Sequence, residues 1–123
     1  MNLEHIKGYE GYLYLATPYS KYPHGVEQAA IDACRVAAEL IKAGIPVFCP
    51  IAHSHSIADI GDIDPLDHNI WLPADKPLMD GATAIVVAMM DGWDKSYGVA
   101  EEIKVFQNAG KRVIYLEVSQ WLT

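Results

Sequence analysis

The chain has 123 residues, enough for one domain with a sizeable core, and 51% of them are hydrophobic, which excludes a disordered chain. A formal net charge of −7 argues against a nucleic-acid partner, whose backbone calls for clustered Lys and Arg; a small anionic substrate stays open, because a local site can differ from the whole. No apolar run reaches the length of a membrane span, and the opening stretch MNLEHIKGYEGY holds no signal-peptide core, so a cytoplasmic protein without a membrane partner is expected.

Residues 12–16 (YLYLA) form a short apolar run that stops at Thr17-Pro18 and reads as a strand buried on both faces. A polar loop follows. Over 26–43 the apolar residues Ala30, Ala33, Cys34, Ala37, Leu40 and Ile41 recur at helical spacing, with Gly44 as the stop. Residues 46–49 (PVFC) read as a second strand closed by Pro50. Cys34 and Cys49 have neither CxxC nor metal spacing and read as free buried thiols. Residues 51–75 read as a long loop carrying His53, His55, Asp59, Asp62, Asp64, Asp67 and His68, with a turn of helix over 66–72 and a short helix over 74–81. Residues 83–90 (TAIVVAMM) are the clearest strand, 97–109 a helix stopped by Gly110, 112–116 (RVIYL) the last strand, and SQWLT a terminal turn.

Strands and helices alternate, which predicts a single α/β domain over 1–123: a three-layer, doubly wound, flavodoxin- or Rossmann-like fold with a parallel sheet of four to five strands. Ligands of such sheets bind beyond the carboxyl ends of the strands. Those ends are Thr17, Tyr19 and Ser20; the segment 50–56 with His53 and His55; and the segment 90–98 with Trp93, Asp94, Ser96 and Gly98.

The stretch SYGVAEEI, 96–103, holds two adjacent acids. On a helix at about 100° per residue, Val99, Ile103, Phe106 and Ala109 form the apolar stripe; Glu102 lies within about 45° of its centre and Glu101 about 145° away. Glu101 is therefore the solvent-side acid, beside Lys104. Glu102 points toward the sheet, where a carboxylate must be paired, hydrogen-bonded or functional. Two roles stay open for it: an acid that stabilises the helix N-terminus, and a nucleophile or general base at a cleft. Gly98 permits close backbone approach, and Ser96 is both an N-cap and a hydroxyl at a natural anion site.

Ser96-x-Gly98-x-x-x-Glu102-Ile103 after a hydrophobic strand resembles the signature of nucleoside 2-deoxyribosyltransferases and 2'-deoxynucleoside 5'-monophosphate N-glycosidases. YLATPYS (14–20), PIAHSH (50–55) and GWD-x-S-x-GV (92–99) resemble more closely an uncharacterised branch of that superfamily. The resemblance implies the fold above. It implies Glu102 as nucleophile on an anomeric carbon, Tyr14 as the active-site tyrosine, Asp75 as the group that handles the base, and Ser96 at the 5' end of the sugar. It also implies a nucleoside or nucleotide substrate and a homodimer or higher homo-oligomer. The phosphate loop of the glycosidases is rich in Gly and Arg; here it is ATPYSKYPHG, with Lys21 as its only strong cation.

Breaking an N-glycosidic bond passes through an oxocarbenium-like state that a carboxylate can stabilise or trap, while a second acid assists the leaving base. Tyr14 either positions Glu102 or packs under a helix. Tyr19 and Trp93 either wall the pocket or pack loops. Asp94 suits a turn, and a histidine of the 53–55 pair suits a hydrogen bond to a base or to Asp75. Trp71 and Trp121 suit either an interface or packing within the chain. The His/Asp segment lacks metal spacing, so no metal and no cofactor is expected. Beside the glycosidase or transferase stand two alternatives, a nucleotide-binding module without turnover and a metal-dependent hydrolase.

Overall fold

A computed structural model describes residues 3–122. Strand β1, Leu13–Ala16, is buried at all four positions. Its neighbours are β2, Val47–Phe48, on one side and β3, Ala84–Ala88, on the other, with β4, Arg112–Leu116, beyond β3. All three pairings are parallel, with Leu13 opposite both Val47 and Ala84, and Ala84 opposite Arg112. Parallel neighbours demand crossovers, and helices supply them.

Side chains alternate across the sheet and divide the core in two. Leu13, Leu15, Val86, Ala88, Ile114 and Leu116 pack with Ala29, Ala33, Val36 and Leu40 of helix α1, Val26–Lys42. Tyr14, Ala16, Ile85 and Val87 face the other way. They meet Met79 of α3, His68–Gly81, and Val99 and Phe106 of α4, Tyr97–Asn108. The result is the doubly wound, three-layer α/β fold that alternation predicts, with four strands. Truncating the fully buried Phe106 to Ala would cost about 3–5 kcal/mol.

The segment expected as a long loop is mostly helix. Helix α2, Pro50–Gly61, starts with proline at a position whose N–H has no helical partner in any case, and ends at Asp62 in the left-handed conformation, φ 56°. It packs on α1 and β1. Helix α3 is one helix, not two pieces. The Asp67 side chain caps it by accepting from Asn69 N–H at 3.0 Å. Pro73 and Pro77 lie inside it, each at a propensity cost of about 3 kcal/mol against alanine. That cost is why the sequence reads as interrupted. Packing of α3 against α4 and burial of Met79 outweigh it. Both cysteines are free, but only Cys49 is buried; Cys34 is exposed, because its place on α1 falls at the margin of the apolar stripe.

The chain runs from β1 outward to β2, then returns across β1 to β3. The strand order therefore switches between β1 and β3, and the crevice beyond their carboxyl ends is the place for a ligand. The connection over 62–67 joins α2 to α3 at that end.

Candidate functional site

Strand β1 carries Tyr14 on the face turned to α4, and α4 carries Glu102 on the face turned to the sheet. The Tyr14 hydroxyl donates to Glu102 Oε2 at 2.5 Å, with both side chains buried. Phe48 and Phe106 hold the tyrosine ring, at 5.9 and 5.6 Å between centroids, so the phenol has little freedom. Both roles weighed for Tyr14 therefore meet in one residue: it packs under the helix and positions the carboxyl. Glu101, one residue away, pairs with Lys104 at 2.9 Å on the surface.

Burial pushes the Glu102 carboxyl up to about 8; the Tyr14 hydrogen bond pulls the other way and the nearby Asp75 adds to the rise. Asp75, on α3 and also buried, is pushed up to about 6 by desolvation, partly offset by His53. No hydrogen bond from a described residue offsets it further. Desolvation, reinforced by the carboxylates of Glu102 and Asp75, holds Tyr14 far above its ordinary range, so it acts as a hydrogen-bond donor.

At the start of α4, Ser96 has the extended backbone of an N-cap and its hydroxyl accepts from Val99 N–H at 3.2 Å. Gly98 follows. A Cβ built there meets nothing nearer than Ser96 Oγ at 3.9 Å, so the fold has no steric need of glycine at this place. From the end of β1, Thr17 is buried, and apart from the Cys49 thiol beside it, its hydroxyl has no partner among the described residues. That thiol is no rival nucleophile, because burial pushes it up to about 12. The β1 and β3 loops are pressed together at Gly92, φ 85°, where any Cβ would collide with the Lys21 carbonyl oxygen.

Glu102, Asp75, Ser96, Gly98, Thr17, Tyr19 and Ser20 line one cavity of about 60 Å³. Residues of the misread segment complete it: Ser54 from α2, Pro65 and Leu66 from the 62–67 connection, and His68, Trp71 and Leu72 from α3. Their signal lay in the length of the segment, since their individual identities are ordinary. Ligand sites run to roughly 300–1,000 Å³, so this one is narrow as it stands, and Leu66 on its wall is exposed to solvent. That wall includes the 62–67 connection and His68, whose ring lies 4.6 Å from that of Tyr97.

Five expected site residues stand outside the lining: Tyr14, which lies beneath it and reaches it only through Glu102, and four others. Trp93 sits in a 3-10 turn, Trp93–Lys95, and packs on Tyr115 with rings 5.5 Å apart, so it braces a loop. Asp94 is exposed on the same turn. The turn directs both away from the cavity that Ser96 enters. His55 bonds Tyr19 Oη through Nδ1 at 2.6 Å and faces a neighbouring cleft, and His53 is exposed, reaching Asp75 by charge alone. Trp71 donates to the Asp64 carbonyl at 2.9 Å and Trp121 packs on the core, so both are used within the chain. Among the described residues no three His, Cys, Asp or Glu side chains gather closely enough to hold a metal ion. No described helix is long and apolar enough to cross a membrane.

A larger cleft, about 490 Å³, opens on the α1 face of the sheet. Its buried carboxylate, Asp32, is bound by Tyr22 at 2.5 Å, Gln28 at 2.9 Å and Arg35 at 3.2 Å, a tied network with no group left to react. Size alone would choose this cleft; the chemistry chooses the smaller cavity.

Residues 11–118 match the family model described as a domain of unknown function (DUF1937), and the chain belongs to that family. No curated protein matches it.

Proposed function

We propose that this DUF1937 protein cleaves or transfers at the N-glycosidic bond of a nucleoside or nucleotide-like substrate. The observation that carries the reading is the buried Glu102 carboxyl, held by one tyrosine, beside a second buried carboxyl in a cavity at the switch point of the sheet. The resemblance of SYGVAEEI and YLATPYS to the deoxyribosyltransferases and N-glycosidases supports it.

Glu102, ionised, attacks the anomeric carbon. The C–N bond breaks and its electron pair leaves with the base, which takes a proton from Asp75. Water, or a second base, then attacks the glycosyl ester, Asp75 takes back a proton and Glu102 departs as carboxylate. The first step needs one proton on the carboxyl pair. With Asp75 near 6 and Glu102 near 8, the resting pair holds that one proton at neutral pH, mainly on Glu102, so the reacting form is the one in which it has passed to Asp75. Tyr14 donates to Glu102 and favours its ionised form, so it lowers the cost of that transfer without reversing the resting order.

The test is base release from deoxynucleosides and their monophosphates, with and without an acceptor base. Release without an acceptor means hydrolysis; exchange only with one means transfer. Release by Glu102→Ala equal to that of the parent, or none from any substrate, would sink the proposal. Exposed Ile57, Ile60, Leu66 and Ile70, on α2, α3 and the connection between them, support a homo-oligomer, which a sizing measurement checks.

A further inference from the structure

The proposed bond leaves open what the far end of the sugar carries, and the charges around the cavity bear on it. Among the described residues that line it, two are carboxylic acids, Asp75 and Glu102, and none is lysine or arginine. The ring of His68 is the one group there that can take a positive charge, and it packs on Tyr97. Lys21, from the loop after β1, is exposed and outside the lining.

A phosphate is held by charge-assisted donors or by several unengaged backbone N–H groups. At the start of α4, one such N–H, that of Val99, already donates to Ser96 Oγ. The polar group with capacity to spare is neutral: Thr17 Oγ1, buried beside the Cys49 thiol and without an oxygen or nitrogen partner among the described residues. Gly98 adds open room beside the helix start, suited to a compact group. A dianion would enter a cavity whose acid pair keeps one negative charge at neutral pH, with no lysine or arginine in the lining to offset it.

We infer that the site takes an uncharged ligand, a nucleoside with a free 5'-hydroxyl, and discriminates against the 5'-monophosphate. This rests on the proposed reaction, and the experiment separates the two. Matched deoxynucleosides and 5'-monophosphates are titrated calorimetrically into the full-length Glu102→Gln variant, which binds without turnover, and base release by the parent protein is measured on the same pairs. The nucleoside is expected to bind, and to react by kcat/KM, about 100-fold better than its monophosphate, as like-charge juxtaposition in a poorly solvated site implies. Equal or tighter binding of the monophosphate overturns the substrate class while leaving the reaction intact if base is released. Binding of the nucleoside without release by the parent keeps the class and removes the reaction. Binding of neither overturns both.

Discussion

Two carboxylates lie buried on opposite faces of the same sheet, and each accepts a tyrosine hydroxyl at 2.5 Å: Asp32 from Tyr22, and Glu102 from Tyr14. There the likeness ends. Asp32 also receives Gln28 and the guanidinium of Arg35, so its charge is compensated and its lone pairs are occupied. Glu102 has no cation beside it among the described residues, and the charge that acts on it is that of another acid, Asp75. A buried carboxylate with a full set of partners holds a fold together. One left short of partners destabilises the charged form and retains the capacity to react.

The contrast gives opposite signs to similar substitutions. Glu102→Ala should abolish base release, a loss of about 10³-fold or more, as for the removal of a covalent nucleophile. Glu102→Gln should be equally inactive yet more stable. The carboxyl is raised from its usual value to about 8, so its folding penalty is absent below about pH 4.5, grows as the pH rises, and is complete above 8. The gain in Glu102→Gln should thus be on the order of 5 kcal/mol at pH 8.5 and vanish near pH 4.5, read from denaturation midpoints. Asp32→Ala should do the reverse. It leaves the Tyr22 hydroxyl and Gln28 amide without their acceptor, at a cost of about 2–4 kcal/mol, with kcat/KM unchanged within a few-fold below the melting temperature. Loss of turnover in Asp32→Ala while it remains folded would end the division of roles.

Sequence reveals the inward carboxylate better than it reveals the cavity around it. Helical phase alone turned Glu102 inward and Glu101 outward, because α4 has an unbroken apolar stripe. Strand ends located Thr17, Tyr19, Ser20 and Ser96, because an alternating α/β chain has few ways to arrange its sheet. The opposing wall was not legible. Pro73 and Pro77 imitate a helix break, and the polar run HSHS hides α2, whose Ile57 and Ile60 are exposed and form no inward stripe. His68 and Trp71 reach the cavity through tertiary placement of α3, and Leu66 through that of the connection before it, which no local pattern encodes. Trp93 and Asp94 show the opposite error: they neighbour Ser96 in sequence, and a single 3-10 turn sends them elsewhere.

The pair of acids can be sharpened by pH. With Asp75 near 6 and Glu102 near 8, kcat/KM should follow a bell, falling below pH 6 as both carboxyls take protons and above pH 8 as both lose them. Tyr14→Phe removes the bond that favours ionised Glu102, so the alkaline limb should move to higher pH and activity at pH 7 should drop about tenfold. An unmoved limb would mean that the tyrosine only packs between Phe48 and Phe106. The counterpart substitution Tyr22→Phe should leave the profile where it is, since that phenol serves Asp32.

The smallest change separates fold from site most directly. Gly98 lies in the first turn of α4 with room for a Cβ, which would stand 3.9 Å from Ser96 Oγ, an ordinary contact. Alanine is the better helix former, by up to about 1 kcal/mol, so Gly98→Ala should leave the protein as stable as the parent or slightly more so. The new methyl, however, takes space at the cavity wall beside Ser96, where the proposed reaction would put the sugar. A misplacement of this kind should raise KM or lower kcat/KM by roughly tenfold while the denaturation midpoint holds or rises. The opposite pattern, lower stability with unchanged kinetics, would show that the glycine serves the helix and that the ligand lies elsewhere.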